Sequence, residues 1–187
     1  MASTISAGTS AGTAIAIAGD TTGNLAFTTQ AGTYTQTLPN ATGTVMVSGN
    51  MPAFSAYKSA GAGAQSVTAN VATKITYDTK EYDTNSNFAS SRFTPTVAGY
   101  YQVTGASNGS NTAYTYMQTT IYKNGSAYKQ GASYSQSASY PTSIVSALVY
   151  LNGSTDYVEL YVTQSATASV LTGIDSTYFQ AVMVRSA

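Results

Sequence analysis

The stretch FASSRFTPTVAGYYQV, residues 88–103, decides how the rest of this chain is read. Phe88 and Phe93 flank a Ser-rich turn, Pro95 removes a backbone donor just after it, and Gly99 permits a tight reversal. Tyr100 and Tyr101 then open an extended run in which neighbouring side chains leave opposite faces. One of the two can serve a core and the other a subunit contact.

Outward from this block the pattern is strand after strand, with no stretch of helical period. Candidate strands are FSAYKS (54–59), TKITYDT (73–79), YYQVTGAS (100–107) and YMQTTIYK (116–123). SAYKQGAS (126–133), SIVSALVYL (143–151), YVELYVTQ (157–164) and YFQAVMVR (178–185) complete the set. Short strands separated by turns point to a sandwich or jelly roll. Alternation sends Val158, Leu160 and Val162 to one face and Tyr157, Glu159 and Tyr161 to the other. Asn124-Gly125 is a two-residue hairpin signal, since a type I′ turn needs positive φ at both positions. Asn152-Gly153 marks a longer connection before Asp156.

Composition narrows the function classes. Of 187 residues only 7% are charged, and seven basic residues balance seven acidic ones. So few cations argue against a phosphate-tracking surface, and nucleic acid is not expected as a partner. With no Cys and no His, disulfides, thiol nucleophiles, the common zinc sites and His-based triads drop out together. The abundant Ser and Thr have no visible base to activate them, and no carboxylate pair is marked for glycoside hydrolysis. Neither catalysis nor a cofactor is expected. No apolar run approaches the ~18 residues of a membrane span, so membrane insertion is not expected either. MASTISAGTS has no basic or apolar signal-peptide region, so no export route is expected. A neutral surface rich in Ser, Thr and Tyr resists association poorly, which permits a tight homo-oligomer.

Residues 1–50 differ from 51–187. Thr, Ala, Gly and Ser supply 32 of the first 50, whereas 15 of the 16 Tyr lie beyond them. The change comes at SGNMPAF, where Gly-Asn and Pro52 mark a boundary. Within the first segment Ile15 and Ile17, Leu25 and Phe27, and Val45 and Val47 each fall two apart, which is strand spacing. Strands with so few apolar residues need other copies or a docking partner to be stable. A flexible linker is the other reading.

The order PAFSAY (52–57), FASSRFTPTVAGYYQV, IYKNGSAY (121–128), VYLNGSTDYVELYV (149–162) and TYFQAVMV (177–184) resembles the globular heads of complement C1q and tumour necrosis factor. The resemblance covers residues 51–187 and implies an all-β, ten-stranded jelly-roll sandwich assembling as a homotrimer. Phe54, Tyr57, Phe88, Phe93, Tyr100, Tyr101, Tyr150, Tyr157, Tyr161, Tyr178 and Phe179 are its candidate core or trimer-interface residues. For the four Phe core packing is the better reading, while the surplus of Tyr suits interfaces. Residues 1–50 resemble repeats of bacteriophage virion appendages, such as tail fibres, head fibres and capsid decorations. That resemblance implies an arm docking on other virion proteins of a capsid, collar or tail.

Two further groups carry competing readings. Asp78, Lys80, Glu81 and Asp83 could hold calcium, but their spacing fits no calcium loop and favours a solvated strand and turn. NGSNTAYTY (108–116) and GASYSQSASYPT (131–142) have antibody-loop chemistry. Their Asn108, Asn111, Tyr114, Tyr134 and Tyr140 could face a host-surface glycan or protein, or lie in ordinary connections. The leading expectation is therefore a short, trimeric, non-enzymatic virion decoration or cement. A receptor-binding fibre tip and a secreted ligand-like module are the alternatives. Fifty residues reach at most ~170 Å, which excludes a long fibre unless another protein supplies the shaft.

Overall fold

The computed structural model describes residue 46 and residues 48–110, 112–132 and 136–187. Among the described residues there are fifteen strands and two three-residue 3-10 turns. In chain order the strands begin with β1 (Ala53–Lys58), β2 (Gln65–Val67), β3 (Thr73–Lys74), β4 (Thr79–Asp83) and β5 (Phe88–Ala89). They continue with β6 (Arg92–Phe93), β7 (Ala98–Asn108), β8 (Thr112–Tyr114), β9 (Met117–Lys123) and β10 (Ser126–Gln130). The last are β11 (Gln136–Ser139), β12 (Thr142–Asn152), β13 (Val158–Gln164), β14 (Ala168–Val170) and β15 (Gly173–Ser186).

Two sheets carry the fold. The first has five strands in the order β12-β7-β15-β1-β4; the second has six, β10-β9-β13-β6-β5 with β3 also beside β13. Two small ribbons, β11-β8 and β14-β2, supplement them. All pairings are antiparallel, and β12 and β7 stay in register from Thr142↔Asn108 to Asn152↔Ala98.

The expected count of ten strands is exceeded because short segments of two to five residues join the two sheets or form the two ribbons. The candidate strand 73–79 also breaks up. Ile75 donates its backbone N–H to Leu160, and Tyr77 donates its own to Ser91 Oγ at 2.8 Å. Those donors serve two different neighbours, so no single ladder can form.

The core lies between the sheets. Phe54 of β1 stacks on Phe88 at 4.5 Å and on Phe93 at 4.6 Å, and meets the edge of Phe179 at 4.9 Å. Such contacts add about 0.5–1.5 kcal/mol each to simple burial. Val158, Leu160 and Val162 are buried in this core, as alternation requires. Tyr101 joins it edge-on to Phe93. Its hydroxyl donates to the Val97 carbonyl at 2.6 Å, and burial pushes it up to about 12.

Gly99 does not make a reversal. It lies inside β7, where a Cβ would collide with the Met183 methyl and the Arg185 carbonyl. The Asn124-Gly125 turn, by contrast, has φ of 52° and 79°, the positive pair that a type I′ hairpin demands. Its Asn124 side chain accepts from Tyr157 N–H at 2.9 Å and donates to Asp156 at 2.7 Å, tying the turn to the start of β13.

Met46 packs against the edge of the core, and the Gly49 carbonyl accepts from Asn85 Nδ2 at 3.1 Å. The arm residues Ile15, Ile17, Leu25, Phe27, Val45 and Val47 lie outside the described residues.

Candidate functional site

β12 alternates buried Ser143, Val145, Val149 and Leu151 with exposed Ile144, Ser146, Leu148 and Tyr150. A strand apolar on both faces needs cover on both, and the core supplies only one. The cross-strand register extends this outer face over the sheet. Tyr150 lies opposite Tyr100, Leu148 opposite Gln102 and then Val182, and Ser146 opposite Thr104 and then Gln180. On the far side Gln180 pairs with Ser55, and Ser55 with Tyr82.

The face is patterned and sparsely charged: Arg185 stands opposite Tyr100, and Lys123 Nζ lies 5.7 Å from the centre of the Tyr150 ring. Tyr100 and Tyr150 pack with ring centroids 5.5 Å apart. Gln102 Nε2 donates to Ser146 Oγ, and Thr104 Oγ1 shares a hydrogen bond with the same oxygen, both at 2.8 Å. Leu148 and Val182 are 53% and 43% exposed, and Tyr82, Ile144 and Val184 project beside them. A groove of about 130 Å3 runs between Tyr82, Gln102, Thr104 and Gln180. Glu81 at the margin accepts from the Ser55 hydroxyl at 2.6 Å.

The candidate aromatic residues divide into three groups. Phe54, Phe88, Phe93, Tyr101 and Phe179 are core residues. Tyr57, Tyr100, Tyr150 and Tyr178 stand on the outer face just described. Tyr157 and Tyr161 belong to the second sheet. There Arg92 covers the Tyr157 ring at 3.8 Å, and Tyr161 stacks on Tyr122 at 3.9 Å. The exposed apolar residues Ile144, Leu148, Val182 and Val184 were not among the sequence candidates; the apolar residues on both faces of SIVSALVYL were the available signal.

The candidate ligand loops hold up unevenly. Tyr114 faces inward at 2% exposure, its hydroxyl donating to the Ser110 carbonyl at 3.0 Å. Its ring fills core space under the β8–β11 ribbon, so it is not ligand-facing. Asn108 donates to Thr142 Oγ1 at 2.9 Å and receives no free orientation from this local role. Tyr140 is 61% exposed. Asn111 and Tyr134 lie outside the described residues.

In the acidic segment each side chain has an internal task. Asp78 accepts from both the backbone and the hydroxyl of Ser59, and these hydrogen bonds, led by the hydroxyl, hold it below the usual carboxylate range. Asp83 accepts from the Asn87 and Phe88 backbones and pairs with Lys80 at 3.2 Å. No group of three or more metal-ligating side chains occurs among the described residues.

Known proteins place this geometry. No family model and no curated protein matches the sequence. Among solved structures, murine APRIL superposes with a TM-score of 0.57 at 9% identity, covering 72% of this chain and 99% of its own. The globular domain of zebrafish complement 1qA gives 0.53 at 14%, covering 73% and 99%. Eiger TNF from S. frugiperda gives 0.57 at 11%, covering 74% and 95%. At these identities the likeness is one of fold: residues of this chain form the jelly-roll sandwich of the TNF and C1q globular domains.

Proposed function

We propose that this chain is a non-enzymatic homotrimeric module whose subunits meet through the outer face of the β12-β7-β15-β1-β4 sheet. The observation that carries the reading is the largely apolar face of Tyr100, Tyr150, Leu148, Ile144 and Val182, exposed in the single chain. Contiguous apolar surface of this kind marks association sites on soluble proteins. The fold shared with TNF and C1q domains supports a binding or display role. The Thr/Ala/Gly-rich residues 1–50, similar to phage appendage repeats, support a place in a virus particle as a short capsid or collar decoration or cement. In that reading the arm docks on other virion proteins and the jelly roll faces outward.

Tyr140, the most exposed large hydrophobic side chain among the described residues, favours a second reading. There the same trimer is a fibre tip touching a host receptor. Sedimentation equilibrium tests the trimer: a mass of three chains supports it, and a stable monomer at micromolar concentration overturns it. Particles lacking the protein test the role. Loss of thermal stability with normal adsorption supports decoration, whereas loss of adsorption supports the fibre tip.

A further inference from the structure

On the second sheet, β3 and the β5–β6 hairpin border a cleft of about 490 Å3, within the usual size of small-ligand sites. Its walls combine Lys74 and Arg92 with Ser86, Asn87, Ser90, Thr94, Thr96 and the methyl of Ala89.

The two cations are fixed from below. Buried Glu159 receives Lys74 Nζ at 2.6 Å and Arg92 Nε at 2.8 Å. Burial raises the Glu159 pKa, but hydrogen bonds and charge from Lys74 and Arg92 outweigh it, and the net shift is downward. One carboxylate between two cations leaves the wall with a single net positive charge. Arg92 is further held flat over Tyr157 at 3.8 Å. Its terminal nitrogens have no hydrogen-bond partner among the described residues, so a preorganised pair of donors is open to the cleft.

The turn chemistry points the same way. Ser86, Ser90 and Ser91 have φ of 54°, 50° and 56°, three of the five non-glycine positive values among the described residues. Ser90 and Ser91 form the two-residue turn between Ala89 and Arg92, where Asn or Gly would sit with less strain. Ser91 has a structural use, because its hydroxyl accepts the Tyr77 N–H. Ser86 and Ser90 instead line the cleft. Strain kept where glycine would relieve it is the kind found at binding sites.

We infer that this cleft binds a carboxylate-bearing sugar, with Arg92 and Lys74 taking the carboxylate and Ser86, Ser90 and Thr96 the hydroxyls. A neutral sugar would leave the single net positive charge of the wall unanswered, and a simple carboxylate would leave the hydroxyls so. The inference rests on the cleft alone and does not depend on the trimer or on the virion reading.

The test is to titrate the full chain with glucuronate, glucose and acetate, following backbone amides by NMR. Glucuronate is expected to shift the amides of Ser90, Arg92 and Thr96 with millimolar affinity, about ten-fold tighter than glucose or acetate. Arg92→Gln should weaken glucuronate about ten-fold and leave glucose unchanged. Ser90→Gly, which relaxes the turn and keeps the fold, should weaken glucuronate while raising the melting temperature. Equal binding of all three probes, shifts confined to other surfaces, or unchanged glucuronate binding in Ser90→Gly would overturn the inference.

Discussion

Leu160 of β13 places its Cδ1 in the space that a Cβ on Gly105 of β7 would occupy, so the two sheets meet through an absent side chain. Interiors packed to crystal-like density have no slack for a methyl at such a point. The Tyr178 carbonyl, 3.1 Å from the same position, blocks the other direction of relief.

Gly105→Ala is therefore expected to destabilise the fold by about 1–3 kcal/mol through overpacking. The denaturation midpoint in urea measures it. In the double variant with Leu160→Ala the cost should be less than the sum of the two single costs, since the smaller residue vacates the contested space.

Leu148→Glu tests the outer face. Leu148 is half exposed in the single chain, so its replacement should change chain stability by no more than about 0.5 kcal/mol. It puts a carboxylate beside Gln102 and Val182 in the middle of the proposed contact. The expected outcome is dissociation to folded monomers by sedimentation, with an unchanged circular dichroism spectrum.

Asn124→Ala should cost about 2 kcal/mol, because it removes both the side-chain acceptor for Tyr157 N–H and the donor to Asp156. It also puts a less tolerant residue at a φ of 52°. Thermal melts of the variant and of Asp156→Asn separate these effects: the latter keeps Asn124 in the turn and loses the charge and one of the two accepting oxygens.

Acid should weaken the fold in a defined window. The Glu159, Asp156 and Asp78 carboxyls all titrate below their ordinary values of 4.5, 3.8 and 3.8 in the folded chain. The unfolded chain then binds more protons near those values, so stability is fully present above them and declines as pH falls through the lowered ones. The urea midpoint should drop between neutral pH and the low carboxylate range. Glu159→Gln should lower the midpoint at neutral pH and flatten its dependence on acid.

Much of the sandwich was legible because long strands advertise themselves locally. The alternating residues of 100–107, 116–123, 143–151, 157–164 and 178–185 each carry enough period-two pattern to identify a strand, and Asn124-Gly125 encodes its own turn. The short strands β2, β5, β6 and β14 were invisible, since two or three residues hold no period and their pairing depends on distant partners. The same limit applies to Gly99, whose demand for glycine comes from Met183 and Arg185.

By itself the sequence determined the all-β class, the absence of thiol and imidazole chemistry, and the central aromatic residues. Those follow from composition and from contacts within a strand's length. Only the tertiary structure decided that Tyr101 faces the core and Tyr100 the outer face, that Tyr114 is buried, and that Glu159 clamps Lys74 and Arg92 beside a cleft. A strand's alternation states that two neighbours face opposite ways. Which way is inward is settled when β7 chooses β12 and β15 as partners and the second sheet closes over one side.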